Sequence, residues 1–135
     1  MRAKNHHDQY LETQVLTAPP GKLVLMLYDG AIRFGNLARA SLSERDIEAS
    51  HNYIVRVQNI VCELRLSLNM SAGSISKNLS DLYNYLHREL VKANLNKDPV
   101  PLENAIEIIQ GLRESWGRAI GQETVQRSSL AATHA

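Results

Sequence analysis

The chain reads as an all-α protein, an antiparallel up-down four-helix bundle with a short N-terminal segment and a mobile C-terminal tail. Three observations predict this. Four long stretches carry helical periodicity, glycine and proline separate them by short breaks, and no stretch alternates apolar and polar residues as a half-buried strand does. Short connections force consecutive helices to run antiparallel. The expected layout is an N-terminal segment over 1–18, a bundle over 19–120 and a flexible tail over 121–135.

The first helix is expected from Pro20 to about Ala40. A residue before proline avoids the α region, so Pro19 stays outside while Pro20 takes the first position, where no amide hydrogen is needed. Its stripe is Leu23, Leu27, Gly30, Phe34, Leu37 and Ala38, widened by Val24, Met26, Ala31 and Ile32 beyond what a single contact would bury. Ser43 and, three residues on, Asp46 form a weak helix-start signal for the second helix. There Ile47, Ser50, Ile54, Val57, Val61, Leu64 and Leu68 keep the seven-residue spacing of a bundle seam. After a loop over 69–74, Ile75, Leu79, Leu82, Leu86, Leu90 and Ala93 mark the third helix, which ends near Asn96. Asp98 can cap the fourth helix with Pro99 at its first position, and Pro101 is tolerated because it still lies in the first turn. Its stripe is Leu102, Ala105, Ile109, Leu112 and Trp116. From about Gly121 the composition turns to Gln, Thr, Ser and Ala, which predicts a mobile tail.

Composition narrows the function classes. The 135 residues carry 15 Lys plus Arg and 14 Asp plus Glu, a formal charge of +1, with 44% apolar and 21% charged residues. That supports one domain with a core of its own. A near-neutral balance removes the phosphate attraction on which nucleic-acid binding mostly rests, and it weakens adsorption to anionic membranes. The single cysteine, Cys62, has no second thiol to pair with, as expected of a reducing, cytoplasmic setting. The longest apolar run, Leu23 to Tyr28, is far short of the roughly 20 residues that span a bilayer, and the first residues carry no apolar signal region.

Candidate chemistry is sparse. Glu48 and His51 match the Glu-x-x-His spacing of metal-binding bundles, but that site needs a second copy and two further inward Glu residues, and no second copy occurs. No phosphate-binding glycine loop, Cys–His neighbourhood or Gly-x-Ser-x-Gly is present, so no cofactor and no enzyme activity is expected. A metal-binding bundle protein and a helical adaptor are the alternatives to a partner-binding protein. What stands out is apolar and aromatic surplus, above all Leu82-Tyr83-Asn84-Tyr85-Leu86. Leu82 and Leu86 are expected inward, with one tyrosine flanking the core and the other more exposed, as suits a grip on another protein.

Two blocks make the sequence recognisable: TAPPGKLVLMLYDGAIRF over 17–34 and SKNLSDLYNYLHRELVKAN over 76–94. A looser third block comprises Tyr10, Gln14 and Val15 with Leu112 to Trp116. Together they resemble the flagellar secretion chaperones that bind flagellin, the FliS family. The resemblance implies a non-enzymatic cytoplasmic bundle around which the C-terminal helical segment of flagellin wraps, held from polymerising and carried to the cytoplasmic domain of the flagellar export gate. Neither nucleic acid nor membrane insertion is implied, and a co-chaperone or regulator is left open. By the same resemblance Met26, Asp29, Gly30, Leu82, Tyr83, Tyr85, Arg88 and Asn94 form the flagellin surface or its immediate support, and Tyr10 docks at the export gate. Leu27, Phe34, Leu79, Leu86 and Trp116 read as core. Two departures stand out: Pro19 replaces the hydroxyl residue usual before the helix-one proline, and His87-Arg88-Glu89 dilutes a usual arginine pair.

Overall fold

The computed structural model describes the backbone of residues 20–133 and the side chains of 21–71 and 73–121. It contains α1 (Pro20–Ser43), α2 (Ile47–Leu66), a 3₁₀ turn (Met70–Ala72), α3 (Ser74–Asn96) and α4 (Pro99–Thr133), with no strand among the described residues. Each helix packs on its neighbour in the chain and α4 closes the ring against α1, while among the described residues no backbones approach across either diagonal. This is the four-helix bundle that the periodicity predicts. None of the described helices is long and apolar enough to cross a membrane.

The helix boundaries follow from local chemistry. Asp46 is itself the N-cap of α2, its carboxylate accepting from the Ala49 amide at 3.1 Å. Ser43 is the last residue of α1, so the helix-start signal expected at Ser43 is displaced to Asp46. Arg45, in the left-handed region at φ 59°, ends α1 and turns the chain within three residues. Lys97 does the same after α3 at φ 49°, and Asp98 then accepts from the Val100 amide at 3.0 Å, the cap that the Asp-Pro pair predicts. Gly73, at φ 96°, joins the 3₁₀ turn to α3, a conformation for which glycine is the natural residue. The backbone of α4 runs on to Thr133, where the sequence reading stops the helix near residue 120. No proline follows Pro101, so nothing in the tail interrupts the amide ladder.

The core joins Tyr28, Ala31 and Ala38 of α1 to Ile54, Val57, Val61 and Leu64 of α2. Tyr83, Leu86, Leu90 and Ala93 of α3 and Leu102, Ala105, Ile106 and Ile109 of α4 complete it. The α2 seam is as expected from Ser50 to Leu64, and Leu68, beyond the end of the helix, still packs on the core; Ile47 is 65% exposed, and Ile75 at the start of α3 is 74% exposed. Both sit in a first turn, at the edge of what the neighbouring helices cover. On α1 the buried face is rotated toward α4 from the expected stripe, leaving Leu37 exposed. The cause is close packing, for α1 is wedged between two neighbours and small residues line its buried face. A Cβ on Gly35 would lie 2.8 Å from Ile106 Cγ1, and one on Gly30 would lie 3.3 Å from Ile60 Cδ1. Gly30 thus meets an aliphatic side chain of α2, and Gly35 admits the closer approach, to α4.

Replacing Gly35 by Ala should therefore destabilise the fold by about 1–3 kcal/mol, because the buried Ile106 has nowhere to move. Gly111→Ala, with nothing within 4 Å of the added carbon, should stabilise it by about 1 kcal/mol through helix propensity. Urea midpoints moving in opposite directions would verify both.

Candidate functional site

The two sequence blocks meet inside the bundle. Tyr28 of α1 and Tyr83 of α3 are each 2% exposed, and their hydroxyl oxygens lie 2.6 Å apart across the diagonal. In an apolar centre each hydroxyl would be costly alone, and each satisfies the other. Burial lifts both above the ordinary tyrosine range, Tyr83 the further of the two because Tyr28 also opposes its ionisation. Tyr83 takes the inward position that the sequence reading gives to Leu82, which is only half-buried. The reason is this pairing: one tyrosine finds a hydroxyl partner in the core, and the residue before it is turned to the flank. Tyr85, two positions on, is 38% exposed, so the expected division into one core-side and one exposed tyrosine holds.

The remaining predicted residues are not brought into one patch. Asp29 projects toward α4 and pairs with Arg113 Nε at 2.8 Å, an exposed ion pair of about 0–1 kcal/mol that orients more than it stabilises. Gly30 lies in the α1–α2 seam and Met26 is half-buried on α1, while Arg88 is exposed. Asn94 sits on the α2–α3 side. Lys97 Nζ donates to its Oδ1 at 2.7 Å, which leaves the Asn94 amide nitrogen to face His51 Nδ1 at 2.9 Å. His51 is thereby engaged with α3 and not with Glu48, and no cluster of three or more His, Cys, Asp or Glu forms among the described residues. Tyr10 lies outside the described residues, as does Pro19.

Leu86 is fully buried, and Leu27, Phe34, Leu79 and Trp116 pack against the core from partly buried positions. Trp116 also donates its indole N–H to the Gly21 carbonyl at 2.7 Å, fastening α4 to the start of α1. Phe34 has surroundings that sequence reasoning missed. Its ring stacks on Tyr53 with centroids 6.3 Å apart, and the guanidinium carbons of Arg33 and Arg56 each lie 5.0 Å from its centroid. Only the adjacency of α1 and α2 assembles that group, so periodicity along either helix carries no sign of it.

Large apolar side chains stay exposed on every helix: Leu37 on α1, Ile47 and Leu66 on α2, Ile75, Tyr85 and Leu95 on α3, Val100 on α4. These side chains are the apolar surface that the bundle leaves outside its own packing. The fold defines the class, a four-helix bundle. The family model described as "Flagellar protein FliS" matches residues 3–123. The chain is 33% identical over 127 residues to the flagellar secretion chaperone FliS of Bacillus subtilis (strain 168), covering 94% of this chain and 95% of that one. It is 32% identical over 120 residues to the Salmonella typhimurium FliS chaperone, covering 87% and 89%. Against the Vibrio cholerae FliS chaperone it is 32% identical over 107 residues, covering 78% and 79%. The chain belongs to the FliS family of flagellar secretion chaperones. Its role is that of a chaperone and not of an enzyme.

The tyrosine pair is directly testable. Tyr28→Phe or Tyr83→Phe should each cost about 1–3 kcal/mol by stranding the other hydroxyl, and the double variant should cost less than the two together, as read from urea unfolding. The raised hydroxyl values also give a pH dependence. Their contribution is complete below the unfolded tyrosine value of about 10. Above it the unfolded chain binds fewer protons than the folded one, so stability should fall as pH rises through the alkaline range. Alkaline urea titrations should show this fall, and it should shrink in the double Phe variant.

Proposed function

We propose that this chaperone binds the C-terminal helical segment of flagellin in the cytoplasm, keeps it from polymerising, and delivers it to the cytoplasmic domain of the flagellar export gate. What supports this reading is membership of the chaperone family, together with apolar side chains left exposed on all four helices and at both ends of the bundle. A flat partner would need one contiguous patch. A segment that wraps, placing successive apolar anchors on successive helices, suits a dispersed set. Such a client orders as it binds, so part of the contact energy is consumed and the complex stays releasable.

Within the proposed surface, Tyr85, Leu82, Met26 and Arg88 are positioned for contact with the client, while Tyr83 and Gly30 support them from the interior and the α1–α2 seam. Asp29 and Asn94 hold helix pairs together beside it. Tyr10 is assigned to docking at the export gate.

Full-length flagellin should bind the purified chain, and flagellin lacking its C-terminal segment should not; equal binding to both, or to neither, rejects the reading. Tyr85→Ala should weaken binding by more than about 1 kcal/mol with an unchanged circular dichroism spectrum, as a surface anchor does. Tyr83→Ala should lose helical structure and binding together.

A further inference from the structure

We propose that the end of the bundle where the α1–α2 and α3–α4 turns meet holds the terminal carboxylate of the client chain. The site is a pocket of about 320 Å³ lined by Leu42, Arg45, Asp46, Ile47, Ser50 and Lys97. The inference rests on the flagellin reading and adds to it a position for the client's last residue.

Arg45 and Lys97 are the non-glycine residues of positive φ among the described residues, and both line this one pocket. Each occupies the left-handed position that ends a helix, where glycine carries no steric penalty. A cation near a helix C-terminus interacts favourably with the exposed carbonyls. That attraction accounts for a basic residue in the neighbourhood, but not for one in the strained position itself, and not for two such residues converging on one cavity.

The donors are also available. Lys97 uses one ammonium proton on Asn94 and keeps two. The Arg45 guanidinium makes no hydrogen bond or ion pair with any described residue. The carboxylate on the wall, Asp46, caps α2 through Oδ1, and the Ser50 hydroxyl donates to the Ile47 carbonyl. The wall therefore carries two cations and one anion. Ile47, 65% exposed, and Leu42 supply an aliphatic wall. The chemistry that fits is a carboxylate attached to an aliphatic residue, with the Arg fork able to take both of its oxygens. A chain terminus is favoured over a mid-chain Asp or Glu by position. At a terminus the carboxylate sits on the backbone beside the last side chain, which puts it within reach of both cations and the aliphatic wall at once.

The test uses the C-terminal segment of flagellin synthesised as the free acid and as the C-terminal amide, each titrated into the full chain. The amide should bind the native protein at least about fivefold more weakly, with the gap closing as salt rises. In the Arg45→Gly, Lys97→Gly variant, acid and amide should bind alike. Glycine suits both backbone positions, so helical content and thermal midpoint should not fall. Equal affinity of acid and amide for the native chain overturns the assignment alone, as does a gap that persists in the variant. Failure of both peptides to bind the native chain overturns the flagellin reading and this assignment with it.

Discussion

The Tyr28–Tyr83 hydrogen bond is the interaction on which the arrangement of this protein turns. It joins two helices whose described backbones do not approach each other, in a region too dry to hydrate either hydroxyl. Two groups that must meet at one point allow one rotation of each helix, the same one that close packing gives α1. Once Tyr28 faces inward, Asp29 is turned toward α4 and Gly30 toward α2. Once Tyr83 faces inward, Leu82 is left on a flank and Tyr85 in solvent. The family blocks are thus centred on one buried contact, and their outward residues inherit their directions from it.

Around that contact, close approach replaces bulk. The α1 helix buries Ala31, Gly35, Ala38 and Ser41, so its two neighbours come near, and the larger apolar residues are displaced toward the edges. The bundle consequently satisfies its own packing without consuming all of its apolar side chains. Leu37, Leu66, Tyr85 and Leu95 are among those left outside. What the bundle leaves outside is apolar surface. The polar groups that might have suggested chemistry are engaged in joining helices, as His51 is through Asn94 and Asp29 is through Arg113.

The amino-acid sequence by itself determined the helices, their order and most of the α2 seam, because these depend on short-range signals. Proline and glycine interrupt the amide ladder locally, aspartate caps locally, and a seven-residue repeat records its own buried face. The blocks around Tyr28 and Tyr83 were also enough to point to the family. Tertiary structure alone decided which way α1 faces, since that depends on the distance to α2 and α4, and size-weighted periodicity underrates Ala31 and Gly35. It alone decided that Tyr83 and not Leu82 goes inside, because the hydroxyl needed a partner 55 positions away in the chain. The Phe34–Tyr53 stack and the convergence of Arg45 and Lys97 on one pocket likewise exist only once separate helices are set side by side. A contact between distant residues leaves no trace in the periodicity of either segment.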